Sequence, residues 1–216
     1  MRNRVIGVCF FSFVVFAIGS ASAESIWNMN ADFSIDNGNP NGVWSYGYFV
    51  DSAFYLDTAV TPVPGGDWMY WGDGDTNIWK NLSESVSYGV QPGQVSLHPG
   101  YSGQVSVIRW MTPETVSGEV TIEGEFFVGD GGVMEVAVVK NENWSSLLWS
   151  ATDCGVFALN PSVSAGDTID FAVYGGYGWG NTPLEVTISA VPEPSTFALV
   201  IMGICSLAAI VRQRRG

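Results

Sequence analysis

Between residues 24 and 190 the apolar positions do not recur every third or fourth residue, as an amphipathic helix requires. They come in short β-branched and aromatic runs, separated by Gly, Asn, Asp and Pro, which is the pattern of antiparallel strands. Residues 105–110 (VSVIRW) read as a strand entered from Pro99-Gly100 and left before Pro113. Residues 119–128 alternate. Val120, Ile122 and Phe126 face one way, while Thr121, Glu123 and Glu125 face the other, so one face of that strand meets water. Gly129-Asp130-Gly131-Gly132 then reads as a hairpin turn. Residues 133–140 return with Met134, Val136, Val138 and Lys140 on one side, Asn141-Glu142-Asn143 turns again, and residues 147–150 continue. Ala165-Gly166-Asp167 leads into a strand over 168–174, and 184–190 close the series. Shorter strands are predicted over 25–33, 44–50, 53–59, 67–71 and 77–82. The expected architecture is all-β: one antiparallel sandwich of about ten strands, jelly-roll-like, with no linker before Pro192.

The two ends depart from this pattern. Residues 1–23 begin with Arg2 and Arg4, run apolar from Val5 to Ile18 and finish Ala21-Ser22-Ala23. That is a secretory signal peptide with its cleavage site at Ala21 and Ala23, so the mature chain is expected to start at Glu24. Cys9 lies within the apolar stretch, which argues against a lipoprotein anchor. At the other end Pro192 and Pro194 stop the last strand and allow a helix to start. An apolar run of 15 residues over 197–211 follows, then Arg212, Arg214 and Arg215. As a helix this run reaches roughly 22 Å at about 1.5 Å per residue, short of a hydrocarbon core of about 30 Å. It spans a membrane only with snorkelling arginines and local thinning, and the arginines, as a membrane stop, place the preceding chain outside the cytoplasm.

The tail, with Val191, Pro192, Glu193, Pro194 and Ser195 ahead of the apolar helix and the basic end, resembles the PEP-CTERM sorting signal of Gram-negative envelope proteins. This segment is sometimes called an ice-binding protein C-terminal domain, although none of its residues suggests ice chemistry. The resemblance implies export through the secretion machinery and recognition by an exosortase that removes the tail. It also implies delivery to the outer surface or an exopolysaccharide matrix, with the membrane met transiently or through the helix. The central region, through the pieces 39–47, 79–81, 95–100, 108–110 and 165–171, is similar to secreted bacterial jelly-roll domains and, more loosely, to sandwich carbohydrate-binding modules. The organisation expected is a signal peptide over 1–23, a sandwich over 24–190 and a sorting signal over 191–216.

Without its ends the chain keeps Lys80, Arg109 and Lys140 against 20 acidic residues, a net charge of −17. Such a surface repels phosphate backbones and excludes nucleic acid as a partner. Cys154 is the one cysteine between the ends, so no disulfide can form there and the core relies on packing. His98 is the one histidine and no nucleophile-elbow motif accompanies it, so a non-catalytic role is expected. A glycan-active enzyme built on paired carboxylates is a third reading, although pairs are expected by chance among so many acids.

Two patterns are candidates for binding. Asp73-Gly74-Asp75-Thr76-Asn77 alternates oxygen ligands on a tight loop, which suits calcium through Asp73, Asp75 and Asn77. Glu84 falls where an EF-hand places its bidentate acid, but Ile78 stands where that loop needs glycine, so an EF-hand is rejected. The second candidate is aromatic. All 9 tryptophans lie between the two ends. Trp44, Trp110 and Trp149 are expected in the core. Trp68, Tyr70 and Trp71 on one strand, and Tyr177 and Trp179 in a glycine loop, are candidates for stacking on a polysaccharide.

Overall fold

The computed structural model describes residues 24–62, 68–72 and 75–190. Its strands, in chain order, open with β1 (Ser25–Asn28), followed by one helical turn, α1 (Met29–Asp32). Then come β2 (Trp44–Val50), β3 (Ala53–Leu56), β4 (Val60–Pro62), β5 (Trp68–Trp71), β6 (Asn77–Asn81), β7 (Val95–His98) and β8 (Val105–Met111). After β9 (Gly118–Glu119) follow β10 (Thr121–Phe126), β11 (Glu135–Lys140), β12 (Trp149–Thr152) and β13 (Gly155–Leu159). The series ends with β14 (Ser162–Val163), β15 (Thr168–Tyr174) and β16 (Thr182–Ala190). The chain is an antiparallel β-sandwich, as the sequence pattern predicts. An eight-stranded sheet runs β13-β10-β16-β7-β6-β5-β4, with β1 also on β16, and faces a six-stranded sheet running β12-β11-β15-β8-β2-β3. The described residues form one compact unit. Among the described residues no helix is long and apolar enough to cross a membrane.

The core lies between the sheets. Trp44 and Trp110 are direct cross-strand partners on β2 and β8, and both are fully buried with Tyr46, Phe126 and Phe171. Trp149 is only half-buried, because β12 is an edge strand; its ring stacks on Phe126 at 5.9 Å. The alternation predicted along β10 holds: Val120, Ile122 and Phe126 are buried while Thr121 and Glu123 are exposed. The six-stranded sheet behaves differently. Its outer face carries a second small core of Phe49, Val107 and Ala172 under Phe54, Val105, Trp144 and Tyr174. Arg109 joins that face, held by Asp170 on the neighbouring strand and lying 3.9 Å from the Phe54 ring centroid.

Three expectations are corrected. The glycines over 129–132 do not close a hairpin. β10 pairs β13 and β16, while β11 pairs β12 and β15, so residues 127–134 cross from one sheet to the other. The strand predicted over 25–33 ends at Asn28. The Asn28 side chain accepts from the Ala31 N–H at 2.9 Å and Asp32 Oδ2 accepts from the Asn28 N–H at 3.2 Å, a reciprocal cap that starts α1. Finally, the described residues hold 16 strands rather than about ten. The additional ones include β7, a buried strand without alternation, and β4, an edge strand ending in a proline that could not sit in a central one.

The turn before β15 carries a pH-sensitive contact. Asp167 accepts from Lys140 Nζ, from Asn141 Nδ2 and from the Ser164 N–H, each at 2.9 Å. These bonds, Lys140 foremost, hold its carboxyl at about 2 instead of 3.8. A carboxylate depressed in the folded state contributes stability above its unfolded pKa and loses it as pH falls through the folded one. Asp167→Asn is therefore expected to be less stable than wild type at pH 5, with most of the difference lost by pH 2. Urea unfolding of both proteins at the two pH values measures this.

Candidate functional site

Three connections between the sheets gather at one end of the sandwich. They are residues 99–104 between β7 and β8, 127–134 between β10 and β11, and 175–181 between β15 and β16. Asp75, just before β6, joins them, because Asn77 pairs with His98 at the end of β7.

Tyr177 is the centre of an aromatic group there. The His98 ring meets its edge at 5.1 Å and 81°, and Tyr101 at 5.3 Å and 85°. Both are the edge-to-face geometry that aromatic quadrupoles favour. His98 is fixed at a strand end, with Nδ1 2.8 Å from the Pro99 carbonyl. These rings are not hidden: Tyr101 is 75%, Trp179 71% and Tyr177 40% exposed. Trp179 also has φ of +59°, a left-handed conformation that a bulky residue adopts only when its surroundings over-determine it.

The surroundings do so. Asn181 accepts from Trp79 Nε1 at 2.8 Å, and its Nδ2 and backbone N–H both donate to Asp130, at 2.8 and 3.1 Å. The crossover 127–134 lies backbone to backbone on the 175–181 loop. A Cβ on Gly129 would stand 1.6 Å from the Asn181 carbonyl oxygen, and one on Gly132 would stand 2.4 Å from the carbonyl oxygens of Gly178 and Trp179. The glycines that read as turn residues are there for this close approach. The Gly132 N–H donates to the Trp179 carbonyl at 2.9 Å, which closes the arrangement.

The fringe of the aromatic group is polar. Gln104 accepts through Oε1 from the Ser102 N–H at 3.0 Å, and its Nε2 reaches Asp75 Oδ2 at 3.5 Å. Exposed rings on loops held by backbone contacts, beside amide and carboxylate groups, can stack on the apolar face of a sugar while the polar groups bond its hydroxyls.

The residues singled out in the sequence separate here. Tyr177 stands in this group, and Trp179 lies exposed two residues along the same loop. Trp71 does not: it is 4% exposed, its Nε1 donates to the Ser34 carbonyl at 2.9 Å, and its ring stacks on Tyr46 at 6.1 Å. Its cross-strand partner is Ile78, fully buried, and partners on paired strands share a face, so Trp71 points inward. The side chains of Trp68 and Tyr70 lie outside the described residues, as do Asp73, Ala21, Ala23, Val191 to Ser195 and the three C-terminal arginines. Of the calcium candidates, Asp75 is exposed and contacts Gln104, and Asn77 is half-buried. The described residues contain no cluster of three metal-ligating side chains. Tyr101 and Gln104 were not legible as site residues. Their only sequence signal is the turn Pro99-Gly100-Tyr101-Ser102-Gly103, which raises a tyrosine into solvent.

The tail decides the protein's address. Residues 190–215 match the PEP-CTERM protein-sorting motif. The motif indicates an exported protein sorted to the cell envelope. No curated protein matches the chain. Among solved structures, the sorted chain is similar to a native family 35 carbohydrate binding module from Clostridium thermocellum, at 9% identity and a TM-score of 0.34, covering 61% of this chain and 98% of that one. A variant of a family 29 carbohydrate binding module gives 9% identity and a TM-score of 0.28 over 68% of this chain and 91% of that one. An arabinose-bound α-L-arabinofuranosidase gives 10% identity and a TM-score of 0.30 over 67% of this chain and 26% of that one. Likenesses at this level carry no functional argument.

Proposed function

We propose that this is a non-catalytic protein of the outer surface or exopolysaccharide matrix of a Gram-negative cell. It is released from its signal peptide after Ala23 and from its tail by an exosortase, and it holds a polysaccharide on the Tyr101–Tyr177–Trp179 group. The observation that carries the binding reading is the exposure of these three rings on loops locked by backbone contacts, with Trp179 held at a positive φ. An exposed ring that served only the fold would have no reason to be kept in that conformation.

Affinity electrophoresis of the envelope-derived protein through gels containing soluble polysaccharides tests this. Wild type is expected to be retarded by at least one of them. Tyr177→Ala and Trp179→Ala are each expected to weaken retardation about tenfold, the equivalent of 1.4 kcal/mol. Trp179→Ala should melt close to wild type, because that ring is 71% exposed, whereas Tyr177→Ala also loses the packing on His98 and Tyr101 and should melt somewhat lower. Free migration of wild type in every gel would remove the binding reading. The mass of the mature protein, together with the cell fraction that holds it, tests the two processing events. A rise in melting temperature with calcium that a chelator reverses would assign an ion to the loop of Asp73, Asp75 and Asn77.

A further inference from the structure

The carboxylates at the loop end meet no lysine or arginine there. Asp75 stands just before β6, Asp130 on the crossover and Glu135 at the start of β11. The sandwich has three such cations, Lys80, Arg109 and Lys140, and each is committed elsewhere. Lys80 lies across from Val95, three residues along β7 from His98, and its Nζ donates to the Asn30 carbonyl of α1 at 2.6 Å. Arg109 is closed into its pair with Asp170 and Glu142. Lys140, at the end of β11 away from the crossover, donates to Asp167 at 2.9 Å and to the Ser162 carbonyl at 2.6 Å. Among the described residues no lysine or arginine is left to meet an anion beside the rings, so the aromatic group sits in a negative potential.

Two polar side chains within that potential are placed to read hydroxyls. The turn over 99–104 folds back on itself, with the Gly100 N–H donating to the Gln104 carbonyl at 2.9 Å and the Gly103 N–H to the Gly100 carbonyl at 3.2 Å. The Gln104 side chain lies against Gly100, where a Cβ would run into its amide. Its Oε1 is taken by the Ser102 N–H, which turns Nε2 toward Asp75, 3.5 Å from Oδ2. That separation is longer than an ordinary hydrogen bond. It leaves a donor on Gln104 and acceptor positions on the exposed Asp75 for a ligand.

We infer that the loop end takes an uncharged polysaccharide, and that Asp75 and Gln104 are the residues that select it. Gln104 donates to one hydroxyl. The Asp75 carboxylate accepts from another and repels a uronate, sulfate or phosphate group put in its place. This rests on the reading of the Tyr101–Tyr177–Trp179 loops as a polysaccharide site and names the class of polymer they take. Specificity comes as much from what the wrong ligand meets as from contacts to the right one. A neutral sugar satisfies both side chains. An acidic sugar sets its charge against Asp75, with Asp130 and Glu135 on the neighbouring segments, and like charges brought together at a binding surface are strongly unfavourable. Salt does not remove the effect, because the screening length is about 10 Å at 0.1 M, well beyond the distance between a bound sugar and a carboxylate that touches it.

Affinity electrophoresis of the envelope-derived protein at pH 8 tests this in paired gels, each neutral glucan, mannan or galactan beside its own carboxymethylated form. Wild type is expected to be retarded by a neutral polymer and about tenfold more weakly by the charged form of the same polymer. Asp75→Asn keeps an acceptor and loses the charge. It should hold the neutral polymer within about twofold of wild type and lose most of the preference. Glu123→Gln removes one charge from an exposed position on β10 and should leave the preference as it is, which separates a carboxylate at the rings from the net charge of the domain. Gln104→Ala should weaken retardation by the neutral polymer about fivefold, the loss of one hydrogen bond. Equal retardation of wild type by the neutral and carboxymethylated forms would overturn the inference. So would a preference that Asp75→Asn leaves intact, or one that Glu123→Gln relaxes equally. Free migration in every gel would instead remove the loop-end reading, and this inference with it.

Discussion

Asp170→Ala is expected to destabilise the sandwich by about 3–5 kcal/mol, the usual cost of breaking a buried ion pair from one side. Asp170 has no exposed surface, and Arg109 is 8% exposed. Arg109 Nε and Nη2 donate to the two carboxylate oxygens at 2.6 and 2.9 Å, a bidentate pair. Without Asp170 the guanidinium remains under Phe54, with only the half-exposed Glu142, at 2.8 Å, to answer its charge. The pair itself is not a large source of stability. Burial pushes the Asp170 carboxyl above its ordinary value, against the opposing pull of Arg109. Replacing both partners with apolar residues, as in Arg109→Met with Asp170→Leu, is therefore expected to recover most of the loss. Denaturant unfolding of the single and double variants measures both effects. A single variant as stable as wild type would mean that water reaches the guanidinium.

Gly129→Ala is expected to cost about 3 kcal/mol or more and to abolish polysaccharide retardation without removing any aromatic ring. The new methyl would lie 1.6 Å from the Asn181 carbonyl oxygen, 2.7 Å from its carbonyl carbon and 3.2 Å from Pro183 Cδ, so backbone must move. Moving residue 181 breaks the bonds to Trp79 and Asp130 that hold the 175–181 loop. The control is Gly131→Ala, two residues along. A Cβ there meets nothing within 4 Å, and the cost is confined to its φ of +100°. Chemical denaturation and affinity electrophoresis of the pair separate close approach from backbone conformation. Equal losses in the two variants would count against the backbone contact as the organiser of the loop.

What the sequence discloses follows from which physical signal each residue type carries. Strong local patterns survive. The strand predicted over 44–50 is β2, the one over 105–110 gains only Met111, and the one over 168–174 is β15. The acids of β10 face outward as their alternation implies. Long-range choices are hidden. A glycine serves a turn and a backbone contact equally well, so Gly129 gave no hint that its neighbour is Asn181, far along the chain. Trp71 looked as available as Trp179 because which side of a strand is buried depends on partners, here Ile78. Asn28 could be read as a strand residue until Asp32 came back to its N–H. Half of the loop-end group was visible as aromatic residues in a glycine-rich segment. The other half, Tyr101 and Gln104, became visible only when β7 and β16 were placed side by side.

β16 runs between β10 and its two partners β7 and β1, and the sorting motif begins at its last residue, 190. A pull applied at residue 190 along the strand direction is thus carried by an interior strand. Such a load shears the hydrogen bonds on both flanks together, whereas a tether on an edge strand would peel them one by one. A protein held by this end in a flowing or growing matrix would transmit drag into a strand bonded on both flanks.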